Sequence, residues 1–280
     1  MASLKDKKIY LTGAASGIGR CAAEEFAKAG CELILADINA EALAKTVEEL
    51  KIYNVKIHQY SYNIADRAAV ETAVADVISK LGGVDVLINN AGIGHNGELV
   101  ETSLETWKKL IDVNLFGTLY HVYAFLPSMI EAGNGQIVNV SSGQAYFRLP
   151  TWGAYATVKL ALGAFSELLG FEVRKFGLKV TTVYPFMVNT PFYKDITGET
   201  FGSKLAMKLV PYYSNSPETV AKKLFNAVKK QKAVEMVNVL NDVGFITRAV
   251  PPVSSLVTTL STLFLGKSAD ELKEQLKSKK

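Results

Sequence analysis

Tyr155 and Lys159 stand four residues apart in the run Tyr155-Ala156-Thr157-Val158-Lys159, and Ser142 lies thirteen positions before the tyrosine. The surrounding pattern reads as helix. On a helix, positions i and i+4 share a face, so the ammonium sits beside the phenol. A free tyrosine, with a pKa of about 10, is a poor acid or base near neutrality. A neighbouring cation favours the phenolate and lowers that value, which makes the pair a device for moving a proton at neutral pH. Tyr and Lys also occur at this spacing on helices that do no chemistry, so the meaning of the pair depends on what surrounds it.

Near the N-terminus, residues 7–11 form a strand-like run. Thr12-Gly13-Ala14-Ala15-Ser16-Gly17-Ile18-Gly19 follows, and then a helical pattern from Arg20 to Ala29. Strand, glycine-rich turn and helix are the context of a dinucleotide site. Glycines permit a tight turn and close backbone approach, and they leave the helix N-terminus open to a pyrophosphate. The spacing is Gly-x-x-x-Gly-x-Gly rather than Gly-x-Gly-x-x-Gly. Asp37 closes the apolar run Leu33-Ile34-Leu35-Ala36, eighteen residues after Gly19, near the ~20 expected of the acid that binds the adenosine ribose. A carboxylate there accepts hydrogen bonds from ribose hydroxyls and repels a 2′-phosphate. No Arg or Lys occupies positions 36–39, so NAD is expected over NADP, with NADP left open. An N-cap role for Asp37, ahead of a helix starting near Ala40, is compatible with the same position.

Together these residues resemble the short-chain dehydrogenase/reductase family. Thr12-Gly13-x-x-x-Gly17-x-Gly19 matches its cofactor motif, and Asn89-Asn90-Ala91-Gly92 the motif after its fourth strand. Asn114, Ser142, Tyr155 and Lys159 match its catalytic tetrad, and Pro185 through Thr190 is similar to the segment beside the nicotinamide. The resemblance implies an alcohol dehydrogenase or ketone reductase. In it Tyr155 gives or takes the hydroxyl proton, and Lys159 lowers the tyrosine pKa and holds the nicotinamide ribose. Ser142 steadies the substrate oxygen, with Ser141 the runner-up, and Asn114 anchors a water that links Lys159 to solvent. The resemblance further implies backbone contacts from Ser16 and Ile18 to the pyrophosphate. Asn90, Ala91 and Gly92 would shape the adenosine-ribose side, and Val188 and Thr190 would meet the carboxamide. Asn63-Ile64 stands where the family usually has an aspartate and an apolar residue. The Asn63 amide oxygen can still accept from an adenine amino group. Phe186 replaces the glycine usual after Pro185, which directs an aromatic ring toward nicotinamide or substrate.

The elements that must position these groups alternate. Strands are predicted near 7–11, 31–36, 54–60, 84–88, 135–140, 178–184 and 234–238. Helices are predicted near 17–29, 40–51, 66–81, 103–131, 153–176 and 217–231. Alternation with short connections argues for an α/β fold: one Rossmann-like, doubly wound parallel sheet of about seven strands. With no repeat or linker, residues 1–280 read as one domain, carrying a lid at 190–215 and a C-terminal helical extension at 241–280. The motifs at residues 12–19, 37, 89–92, 141–142 and 185–190 all fall just after predicted strands, where such sheets bind ligands.

Composition agrees. Hydrophobic residues make up 49%, and the net charge of +4 is too weak to argue for nucleic acid. Cys21 and Cys31 suggest reduced thiols and a cytoplasmic protein. His58, His95 and His121 have no metal-ligand spacing, so no metal is expected. No leader is visible at residues 1–8, and no apolar run reaches the ~18 residues of a membrane span.

The lid is rich in aromatic and apolar residues, among them Phe192, Tyr193, Phe201 and Tyr212. With His95, Tyr146 and Phe186 they suggest a hydrophobic secondary alcohol or ketone, such as a steroid, retinoid or fatty derivative. A small polyol or sugar substrate and a non-catalytic NAD-binding regulatory module are the alternatives. Val253, Leu256, Val257, Leu260 and Phe264 recur at helical spacing with Ser and Thr between them. They suit packing against the body or a partner subunit, and leave peripheral membrane contact open. The resemblance implies a homodimer or homotetramer built on helices 103–131 and 153–176.

Overall fold

The strands predicted from apolar runs form one seven-stranded, all-parallel sheet: β1 (Lys8–Thr12), β2 (Glu32–Asp37), β3 (Ile57–Ser61), β4 (Val86–Asn89), β5 (Gly135–Val140), β6 (Leu178–Tyr184) and β7 (Val234–Met236). The computed structural model describes residues 3–190, 192, 204–205, 208 and 214–238, with the single positions Leu260, Lys267 and Glu271. Strand order is β3-β2-β1-β4-β5-β6-β7. The chain direction of travel therefore reverses between β1 and β4, and the loops leaving these two neighbours diverge to open a crevice at the carboxyl edge of the sheet.

Helices α1 (Gly17–Lys28), α2 (Ala40–Leu50), α3 (Arg67–Leu81), α4 (Leu104–Ile111), α5 (Gly117–Ala132), α6 (Gly153–Val173) and α7 (Pro217–Lys229) cover both faces. Strand residues alternate between the two cores, as the period of two requires. Ile9, Leu11, Leu33 and Leu35 pack with Phe26 of α1 and Leu224 of α7. Tyr10, Ile34 and Leu87 pack on the opposite face with Val122 and Phe125 of α5. Side-chain caps mark the helix starts: Asp66 accepts from the Ala68 and Ala69 N–H groups, and Ser216 from Thr219 N–H.

The predicted helix 103–131 is one helical run with a break in its hydrogen-bond pattern. Between α4 and α5, residues Asp112–Phe116 form a π turn, which inserts one extra residue per turn and re-aims the side chains around it. Asn114 sits in that turn. The predicted strand at 54–60 begins later, because Lys51–Tyr53 form a 3-10 turn and Asn54 adopts a left-handed conformation at φ 53° before β3. Most of the predicted lid and nearly all of the C-terminal extension lie outside the described residues. At Lys267, the main-chain N–H donates to Glu98 Oε1 at 2.9 Å and the ammonium to Glu101 Oε2 at 2.8 Å.

A buried polar chain crosses the second core. His121 Nδ1 lies 2.7 Å from the Gly117 carbonyl, which can only accept, so Nδ1 carries the proton. Nε2 then accepts from Tyr62 Oη at 2.6 Å, and Tyr62 in turn accepts from Tyr10 Oη at 2.5 Å. Burial pushes the His121 pKa down to about 4. The unfolded chain, with an ordinary value of about 6.5, binds a proton in this window that the folded chain refuses. Stability present above pH 6.5 is therefore lost as pH falls toward 4, by up to about 3 kcal/mol. Urea unfolding between pH 7 and pH 4.5 should show this loss in the wild type and a visibly flatter profile in His121→Gln; equal slopes would assign the acid sensitivity elsewhere.

Candidate active site

The glycine turn after β1 is built by close approach. Gly13 and Gly17 have φ of +68° and +52°, a region that disfavours side chains. A Cβ on Gly19 would lie 1.9 Å from the Gly13 carbonyl oxygen, so only glycine fits there. Thr12 Oγ1 accepts from the main-chain N–H groups of Asn90 and Ala91, each at 3.1 Å. Asn90 Nδ2 donates to the Thr12 and Gly13 carbonyls at 3.0 and 3.2 Å. These bonds lock the loop after β4 onto the loop after β1. Ser16 is the N-cap of α1, but its hydroxyl makes no capping bond, so the first N–H groups of the helix stay available to an anion.

Asp37, at the end of β2, is held on both carboxylate oxygens. Oδ2 accepts from Ala15 N–H and Oδ1 from Asn39 N–H, each at 2.9 Å. The cap of α2 is Asn39, whose side chain accepts from Ala42 N–H, so the capping role considered for Asp37 falls two residues later. Arg20 forms an exposed pair with Glu49, its Nε 2.9 Å from Oε2. The cradle, the open helix end and the oriented carboxylate together suit a dinucleotide.

At the other end, Lys159 is buried, and its ammonium donates to the Val140 carbonyl at 2.9 Å. Desolvation brings its pKa down to about 8. The Lys159 nitrogen lies 5.9 Å from the centre of the Tyr155 ring, as the shared helix face of α6 requires. Ser141, the runner-up serine, donates its hydroxyl to the Lys159 main-chain carbonyl at 2.7 Å and so ties β5 to α6. The Ser142 oxygen accepts from Gln144 N–H at 3.2 Å and keeps its own proton to donate. Asn114 is fully buried. Its Nδ2 donates to the carbonyls of Ile93 and Leu110, and its Oδ1 accepts from Ile93 N–H. A Cβ on Gly92 would meet Asn114 Oδ1 at 2.6 Å and the Lys159 nitrogen at 3.4 Å, so these three residues converge.

A single cavity of about 670 Å³ runs between the two ends. Its walls carry Ser142, Tyr155 and Lys159 together with Gly13, Ser16, Gly17, Ile18 and Asp37. Asn63, Ile64, Asn90, Ala91 and Gly92 also face it, as do Pro185, Val188, Thr190 and Phe192. Asn63 Oδ1 already accepts from Ala65 N–H, which leaves its second lone pair free. Phe192 lies 5.7 Å, ring to ring, from Tyr155. Gly19 and Asn114 stand behind the wall and shape it. Three residues expected at the substrate do not line the cavity. His95 Nε2 pairs with Thr102 Oγ1 at 3.2 Å. Tyr146 donates to Tyr184 Oη at 3.2 Å. Phe186 is buried against Phe147, 5.5 Å between ring centres. The residue after it, Met187, adopts a left-handed conformation at φ 45°. Tyr62, Ile93, Lys109, Val113, Gln144 and Met187 also line the cavity. The i, i+4 relation of Lys109 and Val113 was a readable signal; the others depend on loop geometry.

The sequence profile of the short chain dehydrogenase family matches residues 7–200. The chain belongs to the short-chain dehydrogenase/reductase family. It is 34% identical over 260 residues to dehydrogenase/reductase SDR family member 7B of Bos taurus, covering 90% of this chain and 79% of that protein. Among solved structures, a family member from Burkholderia phymatum in complex with NAD superposes with a TM-score of 0.78 at 26% identity, over 85% of this chain and 91% of the other. L-sorbose reductase from Gluconobacter frateurii, complexed with NADPH and L-sorbose, superposes with a TM-score of 0.75 at 26% identity, over 84% and 96% of the two chains. The protein is thus an oxidoreductase of the NAD(P)-binding type. No described helix is long and apolar enough to cross a membrane.

Gly19→Ala tests the cradle. The added methyl cannot fit against the Gly13 carbonyl, so the nucleotide affinity read by fluorescence titration should fall at least about tenfold while the far-ultraviolet dichroism stays near wild type. Unchanged affinity would mean that the loop is not the nucleotide site.

Proposed function

We propose that this enzyme interconverts an apolar secondary alcohol and its ketone, with NAD preferred to NADP. The observation that carries the reading is the placement of Ser142, Tyr155 and Lys159 on one cavity with the glycine cradle and Asp37. A bound nicotinamide would supply or take the hydride. The chain's own groups handle the proton: the Tyr155 hydroxyl gives it to the nascent alkoxide or takes it from the alcohol. The Ser142 hydroxyl donates to the same oxygen and steadies its developing charge. A Lys159 pKa of about 8 leaves roughly nine in ten molecules protonated at pH 7, so the cation that favours the Tyr155 phenolate is present under working conditions. With one proton committed to Val140, the ammonium has two left for the ribose hydroxyls. Asn114 supports the water path by holding the π turn against Ile93.

The NAD preference rests on Asp37, whose carboxylate is fixed by two main-chain donors at the cavity wall and opposes a 2′-phosphate. An apolar substrate is supported by Trp152 and Phe192, whose rings lie 5.8 and 5.7 Å from that of Tyr155, and by Met187 on the same cavity wall. For assembly we favour a homo-oligomer through α5 and α6, which expose Tyr123, Leu168 and Phe171 at 64%, 61% and 61%.

Following nicotinamide absorbance with apolar ketones and polyols tests the reading. Tyr155→Phe should lower kcat by at least about 10³-fold with little change in cofactor affinity; a near-wild-type rate would remove the tyrosine from the chemistry. Ser142→Ala should lose about 10²-fold or more in kcat. Ser141→Ala should chiefly cost about 1 kcal/mol of stability through its lost bond to Lys159. Asp37→Ala should narrow the NAD-to-NADP ratio of kcat/KM, and a wild type that already prefers NADP would overturn that assignment.

A further inference from the structure

Gln144 is a buried amide, 4% exposed, on the 3-10 turn that follows β5, two residues beyond Ser142. Its Oε1 accepts from Leu149 N–H at 3.2 Å. Because a main-chain N–H can only donate, this bond fixes which end of the amide is oxygen. The side chain is thereby oriented, and its Nε2 has no hydrogen-bond partner in the protein. That nitrogen is also absent from the fully enclosed, unpaired polar atoms of the described residues, which are Asn89 Oδ1 and Ser214 Oγ. The little surface Gln144 keeps open therefore belongs to the cavity whose wall it shares with Ser142, Tyr155 and Trp152. A buried amide N–H₂ left unpaired is costly, and Gln144 lines the same cavity as the Ser142 and Tyr155 hydroxyls.

We infer that Gln144 is a specificity-determining residue that donates a hydrogen bond to a second oxygen of the substrate, next to the reacting carbon. This inference rests on the oxidoreductase reading above and narrows it: the substrate is an apolar carbonyl or carbinol compound with a neighbouring carbonyl, hydroxyl or ester oxygen, rather than a simple ketone. The Ser142 and Tyr155 hydroxyls serve the oxygen that changes oxidation state. Gln144 Nε2 serves the one that does not, and its fixed orientation sets which carbon is presented. A site built to donate to a substrate oxygen discriminates strongly against the analogue that lacks it, because the donor is then left unpaired.

Phenylpropanedione and propiophenone share a carbon skeleton and differ by the second oxygen, so their kcat/KM values provide the test. The diketone is intrinsically the more reactive, so the wild-type ratio alone decides nothing; the change in that ratio on substitution does. Gln144→Glu retains an oxygen for Leu149 N–H and removes the Nε2 donor, whereas Gln144→Met removes both. The diketone-to-monoketone ratio should fall at least about tenfold in both variants. A ratio that stays at the wild-type value in Gln144→Glu, whether or not Gln144→Met loses it, would overturn the inference, since Gln144 would then serve only to hold Leu149. Propiophenone turnover in the wild type that is abolished in Tyr155→Phe reports separately on the oxidoreductase reading.

Discussion

Burying the Lys159 ammonium is the constraint around which the site is organised. A charged group removed from water is costly unless polar partners replace the lost hydration. The carbonyl of Val140, at the last residue of β5, provides one such partner. Ser141 grips the lysine from its main-chain side, so the end of β5 and the first turns of α6 cannot slide relative to each other without exposing or orphaning the charge. Tyr155 sits one helical turn away on the same face and inherits that fixed geometry. Gly92 and Asn114 close around the same point, with glycine required because any side chain would strike the Asn114 oxygen. The lowered lysine pKa is the electrostatic record of this enclosure.

The nucleotide half depends on the same sheet edge. The order β2-β1-β4-β5 places the loops that carry Asp37, the glycine turn, the Asn90 region and Ser142 side by side. Four hydrogen bonds between Thr12 or Gly13 and Asn90 or Ala91 then join the second and third of these. The cradle and Ser142 are therefore parts of one sheet edge. Their spacing along the cavity is set by the roughly 4.8 Å separation of adjacent strands and not by flexible side chains.

Much of this was legible in the chain. Buried parallel strands appear as short apolar runs, and the glycine spacing and the Tyr155–Lys159 interval report backbone geometry directly, so the fold, the cradle and the face shared by tyrosine and lysine could be read from residue types. Three features could not. The π turn at Asp112–Phe116 is a register change inside a run whose sequence reads as plain helix, so the burial of Asn114 and its grip on Ile93 come only from the fold. Both Ser141 and Ser142 line the cavity, and what separates them is that the Ser141 hydroxyl is spent on the Lys159 carbonyl while the Ser142 hydroxyl keeps its proton. Aromatic residues in loops carry no periodicity, so Tyr146 and Phe186 read as substrate contacts although their rings pack on Tyr184 and Phe147. The unpaired face of Gln144 was invisible for the same reason.

The first measurement is the pH dependence of alcohol oxidation in the wild type and in Lys159→Met, because removing the buried cation withdraws the interaction proposed to make Tyr155 a base near neutrality. The rising limb of kcat/KM should lie well below the ordinary tyrosine value in the wild type and move up by about one unit or more in Lys159→Met. A limb that stays at the same pH in both proteins would contradict that proposal.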